Sequence, residues 1–246
     1  MKGIILAGGE GTRLRPMTLV TSKQLLPVYD QPMIFYPLKT LLQAGITEVL
    51  IIVAPDRAGD YLRVLGSGKE WNAKFTYEIQ DKPGGLAEAF VIGADFIDDQ
   101  SVTLVLGDNI FLGGDAEIRD AITSFKTGGR IFAKQVPDPE RFGVIEFDSS
   151  GKVISIEEKP PRPKSNFASI GLYVYDNRVI SIARKLKPSA RGELEITDLH
   201  KAYLAAGELD VRVFTGEWLD TGTPDSLLAA GNMIAQSRSS GAKPSA

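Results

Sequence analysis

The sequence contains no cysteine and one histidine, His200. The absence of cysteine excludes disulfide bonds, thiolate nucleophiles and metal sites with cysteine ligands, and it favours a reducing compartment, for which we expect the cytoplasm. A single histidine rules out a histidine-rich metal site and leaves a Ser-His-Asp hydrolase dependent on that one residue. Because His200 lies in the middle of an expected helix, we interpret it as a structural or surface residue.

The sequence also lacks an excess of positive charge and any long apolar run. The 28 Lys and Arg residues nearly balance the 31 Asp and Glu residues, giving a formal net charge of -3. We therefore expect neither nucleic acid nor a membrane surface as a partner. No apolar run approaches the ~20 residues of a membrane span, and "GIILAG" is too short for a signal peptide, so we expect no segment to be removed.

Apolar patterns in the first half of the chain alternate between strands and helices. The expected strands are residues 2–8, 48–54, 75–80 and 102–108, and the expected helices between them are residues 33–45, 57–68 and 84–97. This order predicts an α/β fold with a mostly parallel central sheet covered by helices on both faces. Ligands of such sheets bind beyond the carboxyl ends of the strands.

The second half is less regular, and some of its strands are expected to be antiparallel. Strand patterns occupy residues 128–136, 142–148, 152–158 and 169–176, and helical patterns occupy residues 178–186, 193–207 and 224–236. No linker separates the halves, so we expect one domain over residues 1–236. Residues 237–246, "SRSSGAKPSA", are expected to form a disordered tail.

A glycine-rich segment, "GGEGTRLRP" at residues 8–16, follows the first expected strand. Glycines expose backbone N–H groups that can bind phosphate, and Arg13 and Arg15 would add positive charge. The spacing matches neither common phosphate-binding motif: a Walker loop would need glycine in place of Arg13, and a dinucleotide-binding loop would need glycine or alanine in place of Leu14. A tight turn with solvated arginines is the alternative interpretation.

The segments "GIILAGGEGTRLRPMT" and "SKQLLPVYDQPMIFYPL" resemble the sugar-phosphate nucleotidylyltransferases. Six further segments follow in the family's order: "LGDNIF", "DPERFGVIEFD", "ISIEEKPPRPKSN", "GLYVYD", "RGELEITD" and "WLDTGT". The resemblance covers nearly the whole chain. It implies a single-domain Rossmann-like nucleotidyltransferase fold with a smaller, partly antiparallel sugar-binding portion, and it leads us to expect a homo-oligomer.

The reaction implied by the resemblance is attack of glucose 1-phosphate on the α-phosphorus of dTTP or UTP. Its products would be dTDP-glucose, when dTTP is used, and pyrophosphate. Two unit charges ~4 Å apart repel by about 4 kcal/mol at an effective dielectric constant near 20, so the site must supply cations. A strong base is unnecessary because the attacking phosphate is already largely ionised at neutral pH.

The resemblance also implies roles for individual residues. It assigns Mg²⁺ to the carboxylates of Asp108 and Asp220, which are the hard oxygen ligands that this ion prefers. The catalytic positions it implies are Arg13, Lys23, Asp108, Lys159 and Asp220. The substrate-binding positions it implies are Gly8, Gly9, Gly11, Thr12, Arg13, Gln24, Gln80, Gly85, Asp108, Gly143, Glu158, Lys159, Tyr173 and Arg191.

Among these residues the resemblance separates four substrate parts. Arg13 and Lys23 would contact the triphosphate, and Lys159 and Arg191 would hold the sugar phosphate. Gln80 and Gly85 would bind the base, while Gly143, Glu158 and Tyr173 would line the sugar. Without the resemblance, the local sequence is equally compatible with Lys159 as a surface charge and Gln80 as an exposed strand end, and Asp108 and Asp220 are typical of turns or helix caps.

The sequence departs from longer family members in two respects. It ends soon after "WLDTGTPDSLL", without their additional C-terminal helical segment, which in those members contributes to a secondary nucleotide site and to subunit contacts. In "SNFASIGLY", Phe167 and Ser169 replace the usual tyrosine and valine, and Pro224 replaces a frequent histidine. These changes bear on regulation and on the choice of sugar more than on catalysis.

Three functional classes are therefore compared. An active nucleotidyltransferase, of thymidylyl or uridylyl type, requires the four phosphate-binding cations and both aspartates. All six are present: Arg13, Lys23, Lys159, Arg191, Asp108 and Asp220. A non-catalytic nucleotide-sugar sensor or regulatory subunit of the same fold is expected to have lost one of them. A nicotinamide dehydrogenase is disfavoured by Leu14 in the glycine loop.

Overall fold

A computed structural model describes residues 1–239 of the chain, which are organised around a nine-stranded sheet. The strands of the described chain are Lys2–Ala7 (β1), Pro27–Val28 (β2), Gln31–Pro32 (β3), Glu48–Val53 (β4), Lys74–Ile79 (β5), Val102–Leu106 (β6), Asn109–Leu112 (β7), Gly129–Gln135 (β8), Gly143–Phe147 (β9), Val153–Glu158 (β10), Phe167–Tyr175 (β11), Leu209–Val213 (β12) and Glu217–Asp220 (β13). The α-helices are Phe35–Gln43 (α1), Ala58–Leu65 (α2), Glu88–Ile92 (α3), Ala94–Ile97 (α4), Asp115–Thr123 (α5), Arg178–Ala183 (α6), Ile196–Ala205 (α7) and Pro224–Ser239 (α8).

Four neighbouring strands, in the order β6-β1-β4-β5, are parallel. These strands correspond to the four apolar runs of the first half of the sequence, and their prediction is confirmed. Because parallel strands end at the same edge, the segments that follow β1, β5 and β6 emerge along one rim of the sheet. The glycine loop, Gln80 and Asp108 follow these three strands.

Alternate residues of the central strands enter different hydrophobic clusters on the two faces. On β1, Ile5 and Ala7 pack with helices α1, α2 and α5, whereas Ile4 and Leu6 pack with α3, α4, α6 and α7. Successive side chains of a strand point to opposite faces, so a strand with no polar residue must be covered on both. The expectation of helices on both faces is confirmed.

The long strand β11 joins the parallel strands to the rest of the sheet. It pairs antiparallel with β6, β8 and β9; β10 adds to β9, and β12 lies parallel to β8. The expected mixture of orientations in the second half is therefore present. β9, β10 and the first residues of β11 form a projecting antiparallel portion whose strand ends lie beside the rim.

The structure differs from the sequence expectations in several elements. The helix expected over 84–97 is divided into α3 and α4 at Gly93, where the chain packs so closely that a Cβ would lie 3.0 Å from the carbonyl oxygen of Ala89. The sequence analysis missed α5, β7, β12 and β13. β7 and β13 form a separate antiparallel pair outside the large sheet.

Helix α8 continues to Ser239, three residues into the segment expected to be disordered. The remainder of that segment, residues 240–246, lies outside the described residues, and the domain boundary at 236 stays a prediction. Within residues 1–239, we find no helix with the length and apolar character needed to cross a membrane.

His200 lies in the middle of α7 and is fully buried. Its ring packs against Tyr173 and Tyr175 of β11, with centroids 5.2 and 6.3 Å away, and neither ring nitrogen has a hydrogen-bond partner. Burial, with a smaller contribution from the charge of Lys201, lowers the pKa of His200 to about 3. The interpretation of His200 as a structural residue agrees with this position, since no charged form is accommodated there.

The buried neutral histidine predicts an acid-dependent loss of stability. Below pH ~6.5 the unfolded chain binds a proton at His200 that the folded chain does not bind until the pH approaches about 3. His200 should therefore lower the free energy of unfolding by about 2 kcal/mol between pH 7 and pH 5. Urea denaturation of His200→Phe should show a loss smaller by that amount. Lys201→Gln is the control. An equal loss in wild type and in His200→Phe would contradict this account.

Candidate active site

The glycine loop begins at the carboxyl end of β1 and lies against Lys23. Gly11 has a φ of 63°, and a Cβ there would lie 2.9 Å from the Cβ of Lys23, so only glycine permits this approach. The hydroxyl of Thr18 donates to the carbonyl oxygen of Gly11 at 2.9 Å. Arg13 follows in a short 3₁₀ turn and is exposed. The loop therefore presents backbone and one guanidinium to solvent at the rim.

A buried polar cluster supports this loop from below. Gln24 is almost fully buried, and its Oε1 accepts hydrogen bonds from Ser22 Oγ at 2.7 Å and from the Tyr61 hydroxyl at 3.0 Å. The Tyr61 hydroxyl also lies 3.2 Å from the carbonyl oxygen of Ala7, the last residue of β1. Although Gln24 borders the site, its amide oxygen is thus occupied by hydrogen bonds that fix this part of the chain.

Asp108 follows β6 and is held by two neighbours. The ammonium group of Lys23 forms an ion pair with Oδ2, and Asn109 Nδ2 donates to Oδ1 at 3.1 Å. Asn109 Oδ1 accepts from Trp218 Nε1 at 2.7 Å and from the backbone N–H of Gly171 at 3.2 Å, so its amide orientation is determined. Asn109 therefore fixes the carboxylate of Asp108.

Pairing of β7 with β13 brings Asp220 to the same place. Asp220 lies directly opposite Asn109 in this pair, although the two residues are far apart in sequence. Arg13 reaches the same point, because a Cβ at Gly222 would lie 2.6 Å from its Nη2 and 3.2 Å from Asp220 Oδ1. The structure therefore brings together Asp108, Asp220, Arg13 and Lys23.

The two carboxylates influence each other's ionisation. Burial raises the pKa of Asp108, but Lys23 outweighs burial and holds the pKa below its ordinary value. Burial and then the nearby Asp108 raise the pKa of Asp220, against the opposing effects of Lys23, Arg13 and Arg141. Two adjacent carboxylates with one raised pKa are typical of a site that gains a cation when it is occupied.

This donor set fits a hard divalent cation. Within residues 1–239 no group of three or more potential acidic, histidine or cysteine ligands is present. Asp108 and Asp220 could supply two oxygen ligands, and substrate phosphates and water would supply the rest. Mg²⁺ is commonly bound by one or two carboxylates with phosphate oxygens and water completing its octahedron.

Another part of the cavity lining lies at the carboxyl end of β5. Gln80 is buried, and its Nε2 donates to Glu88 Oε2 at 2.7 Å, so Oε1 is directed away from Glu88. Oε1 faces Gly8, where a Cβ would collide with it. Gly85 has a φ of 99°, and a Cβ there would collide with the backbone of Leu194. Both glycines are needed for these close approaches.

The ends of β9 and β10 carry a second group of charges. Lys159 has a φ of 42°, which is strained for a residue other than glycine, and its N–H donates to the carbonyl oxygen of Phe142 at 2.9 Å. Its ammonium lies 3.6 Å from Glu158. Arg191 Nη2 lies 2.7 Å from Glu195 and 3.3 Å from Glu158. Burial raises the pKa of Glu158, against the opposing effects of Lys159 and Arg191.

One cavity of about 650 Å³ collects most of the residues selected from sequence. Those that line it are Gly9, Arg13, Lys23, Gln24, Gln80, Gly85, Asp108, Gly143, Glu158, Lys159, Tyr173, Arg191 and Asp220. Gly8 instead lines an adjoining cavity of about 450 Å³, together with Gln80. Gly11 and Thr12 belong to the glycine loop but to the lining of neither cavity. Their functional roles stay predictions.

Sequence reasoning missed two lining residues that change the electrostatics and shape of the site, Arg141 and Phe142, and it left Trp218 as either a core residue or a wall of the site. Arg141 Nη2 lies 3.6 Å from Asp220 Oδ2 and adds a cation. Phe142 and Trp218 form an edge-to-face pair, with centroids 5.1 Å apart, that makes an aromatic wall. The signals were weak: Arg141 is one of many charges in "DPERFGV", and Trp218 next to Asp220 is equally typical of a core residue.

Comparison with protein families and curated proteins gives consistent results. The model of the nucleotidyl transferase family matches residues 2–237. Glucose-1-phosphate thymidylyltransferase of Neisseria meningitidis serogroup A is 52% identical, covering 95% of this chain and 82% of the relative. The protein of the same name from Mycobacterium tuberculosis is 53% identical with the same coverage.

Solved structures give the same result for the fold. A Bacillus anthracis structure with bound sucrose, provisionally assigned as a glucose-1-phosphate thymidylyltransferase, has a TM-score of 0.89 at 46% identity and covers 95% of this chain and 94% of its own. A UDP-glucose pyrophosphorylase with bound UDP-glucose has a TM-score of 0.84 at 24% identity, covering 96% and 99%. The latter likeness shows the fold alone.

The Lys23–Asp108 pair predicts a stability test in the absence of divalent cations. Both side chains are largely buried, so Lys23→Met should leave an unpaired carboxylate and lower the free energy of unfolding by about 3 kcal/mol. The double variant Lys23→Met/Asp108→Asn should recover most of this loss because no buried charge remains. Urea denaturation checks both.

The matched control is Lys201→Met, which breaks the exposed pair with Asp198 and should cost less than about 1 kcal/mol. Equal destabilisation of the single Lys23 variant and the double variant would show that the unpaired charge is not the cause.

Proposed function

The chain belongs to the nucleotidyl transferase family, and from that premise we propose that it acts as a glucose-1-phosphate thymidylyltransferase. It transfers a thymidylyl group from dTTP to glucose 1-phosphate and releases pyrophosphate. The observation that carries this proposal is the identity of 52–53% to curated proteins of that name over 95% of the chain. The cavity supports it by placing cations on two sides of a pair of aspartates.

The nucleoside end favours a pyrimidine with an imide edge. Because Glu88 accepts from Nε2 of Gln80, the amide presents Oε1 as an acceptor beside Gly8. Thymine and uracil offer an N–H donor at the matching ring position, whereas cytosine offers an acceptor there. Gln80 therefore selects dTTP or UTP over CTP. Between thymine and uracil the difference of one methyl group changes binding by only ~1–3 kcal/mol, so UTP is an expected second donor.

The triphosphate lies along the glycine loop in this proposal. Exposed backbone at Gly9, the guanidinium of Arg13 and the ammonium of Lys23 surround the space next to Asp108 and Asp220. Backbone N–H groups and fixed cations bind phosphate oxygens without costly reorganisation. Arg13 makes no ion pair among the described residues, so its charge is available to the departing pyrophosphate.

Lys159 and Arg191 hold the phosphate of the sugar on the other side of the cavity. Arg191 contacts Glu195, Glu158 and Glu193 in the structure, so its orientation is set before a substrate arrives. Gly143, Glu158 and Tyr173 line the adjoining space, which we assign to the sugar ring. The two anionic substrates therefore have separate cationic sites.

The reaction requires positioning and charge compensation more than proton transfer. An oxygen of the sugar phosphate attacks the α-phosphorus in line with the bond to pyrophosphate, a bond forms to that phosphorus, and pyrophosphate leaves. Asp108 and Asp220 would hold Mg²⁺, which when bound neutralises charge on the phosphate oxygens. Lys23 and Arg13 orient the triphosphate, while Lys159 and Arg191 orient the attacking oxygen.

A pyrophosphate-release assay tests this function. We expect turnover with dTTP and glucose 1-phosphate, lower or similar turnover with UTP, and little with ATP, CTP or GTP, and we expect turnover to require Mg²⁺. A panel of hexose 1-phosphates measured with each nucleotide defines the acceptor. No pyrophosphate release with any combination would refute the transferase and favour a nucleotide-sugar sensor of the same fold.

Replacement of single cations separates the two phosphate sites. Lys159→Ala should raise KM for glucose 1-phosphate by about tenfold or more with little change in KM for dTTP, because a charge-assisted hydrogen bond contributes ~1.5–3 kcal/mol. The matched variant Lys164→Ala removes an exposed lysine of the same region, which is paired with Glu157. It should change neither KM for glucose 1-phosphate nor KM for dTTP. Unchanged KM for the sugar phosphate in Lys159→Ala would remove the assigned role.

A further inference from the structure

Buried polar atoms without a hydrogen-bond partner are concentrated behind the assigned sugar space. Among the described residues, the side chains that carry such atoms are Ser169, Tyr175, Thr197 and His200. The first two belong to β11 and the last two to α7. Buried polar groups normally have partners in native proteins, so a cluster of exceptions requires an explanation.

Two of these four residues, Ser169 and Thr197, line the large cavity, whereas Tyr175 and His200 do not. Ser169 is 8% exposed, and its hydroxyl has no hydrogen-bond partner of good geometry, although the Tyr173 hydroxyl is near enough to interact with it. A substrate in the cavity would lie against Ser169 and Thr197. Ser169 is therefore a buried hydroxyl residue at the wall of a ligand space.

Gly143 brings three side chains of the cavity lining together. It lies opposite Ser169 in the β9–β11 pair and opposite Glu158 in the β9–β10 pair. A Cβ at Gly143 would lie 2.8 Å from Thr197 Cγ2, 3.6 Å from Ser169 Cβ and 3.6 Å from Glu158 Oε2, so only glycine permits this close packing. Thr197, Ser169 and Glu158 therefore lie side by side on one wall of the cavity.

The chemistry of this wall suits a neutral hydroxyl group. The Glu158 carboxylate would repel a phosphate, and the cations Lys159 and Arg191 lie beside it, at the end assigned to the sugar phosphate. A sugar hydroxyl can donate to a carboxylate and accept from a serine at the same time. An apolar group placed there would leave the hydroxyl of Ser169 unpaired, which is unfavourable.

We propose that Ser169 is a specificity-determining residue whose hydroxyl hydrogen-bonds one hydroxyl of the pyranose ring of the acceptor sugar. The proposal rests on the proposed function, and it gives a role to the serine that replaces the usual valine of "SNFASIGLY". It also predicts that the enzyme discriminates against the sugar 1-phosphate that lacks this one hydroxyl.

The test combines variants of the enzyme with variants of the substrate. kcat/KM is measured for glucose 1-phosphate and its 2-, 3-, 4- and 6-deoxy analogues, with dTTP as donor. Ser169→Ala should lower kcat/KM for glucose 1-phosphate by about tenfold, through KM for the sugar, and leave KM for dTTP unchanged. With one of the four analogues, wild type and Ser169→Ala should be equal, because the partner hydroxyl is already absent.

Ser169→Thr retains the hydroxyl and should retain the discrimination, while Ser181→Ala, an exposed serine of α6, is the matched control and should behave as wild type. Ser169→Cys makes the same test if Ser169→Ala does not fold.

A loss of kcat/KM in Ser169→Ala that is equal for all five sugars, or no loss with any of them, overturns the assignment while leaving the transferase intact. Absence of turnover by wild type with every sugar overturns the proposed function and this inference with it.

Discussion

Pairing of opposite charges at one rim of a parallel sheet is the interaction on which the site depends. The cavity lining contains five cations and five carboxylates: Arg13, Lys23, Arg141, Lys159 and Arg191, with Asp108, Glu158, Glu193, Glu195 and Asp220. Unpaired buried charges are costly, so a cation that is buried beside the site must have a partner before the substrate arrives, whereas the exposed Arg13 needs none. The carboxylates serve this purpose, and Lys23 with Asp108 is the most buried example.

The same pairing sets the conditions for substrate binding. A triphosphate that displaces Asp108 from Lys23 leaves a carboxylate without a cation next to Asp220, which already has a raised pKa. The two aspartates then require a new positive charge, and in the proposal a divalent cation supplies it. Binding of nucleotide and of metal are therefore expected to strengthen each other. Lys159 and Arg191 are separate from this exchange, so the sugar phosphate has its own cations.

The sequence was sufficient for the parallel strands and for their common rim, because three mainly apolar runs and one alternating run, separated by helical patterns, are typical of a parallel sheet. The placement of Gln80 and Asp108 at this rim followed from parallel geometry, whereas the order of the strands across the sheet was not predicted. Asp220 is different: β7 and β13 are short, their pairing joins residues far apart in sequence, and no local pattern indicates it. Only the resemblance to a family, and not the periodicity of the sequence, predicted that Asp220 acts together with Asp108.

Other misses have different causes. Ile118, Ala121 and Ile122 give α5 a helical apolar spacing that was available in the sequence and was overlooked. Arg141 could not be selected by type alone, because arginines are common on surfaces and only the three-dimensional contacts distinguish this one.

The most direct test of the charge exchange is the affinity for Mn²⁺, used in place of Mg²⁺ because electron paramagnetic resonance detects it without turnover. The affinity is measured with and without dTTP for wild type, Asp108→Asn and Asp220→Asn. The account predicts that dTTP tightens Mn²⁺ binding in wild type and that either substitution weakens it by about tenfold or more. Binding of Mn²⁺ that is equal in all three proteins and indifferent to dTTP would contradict it.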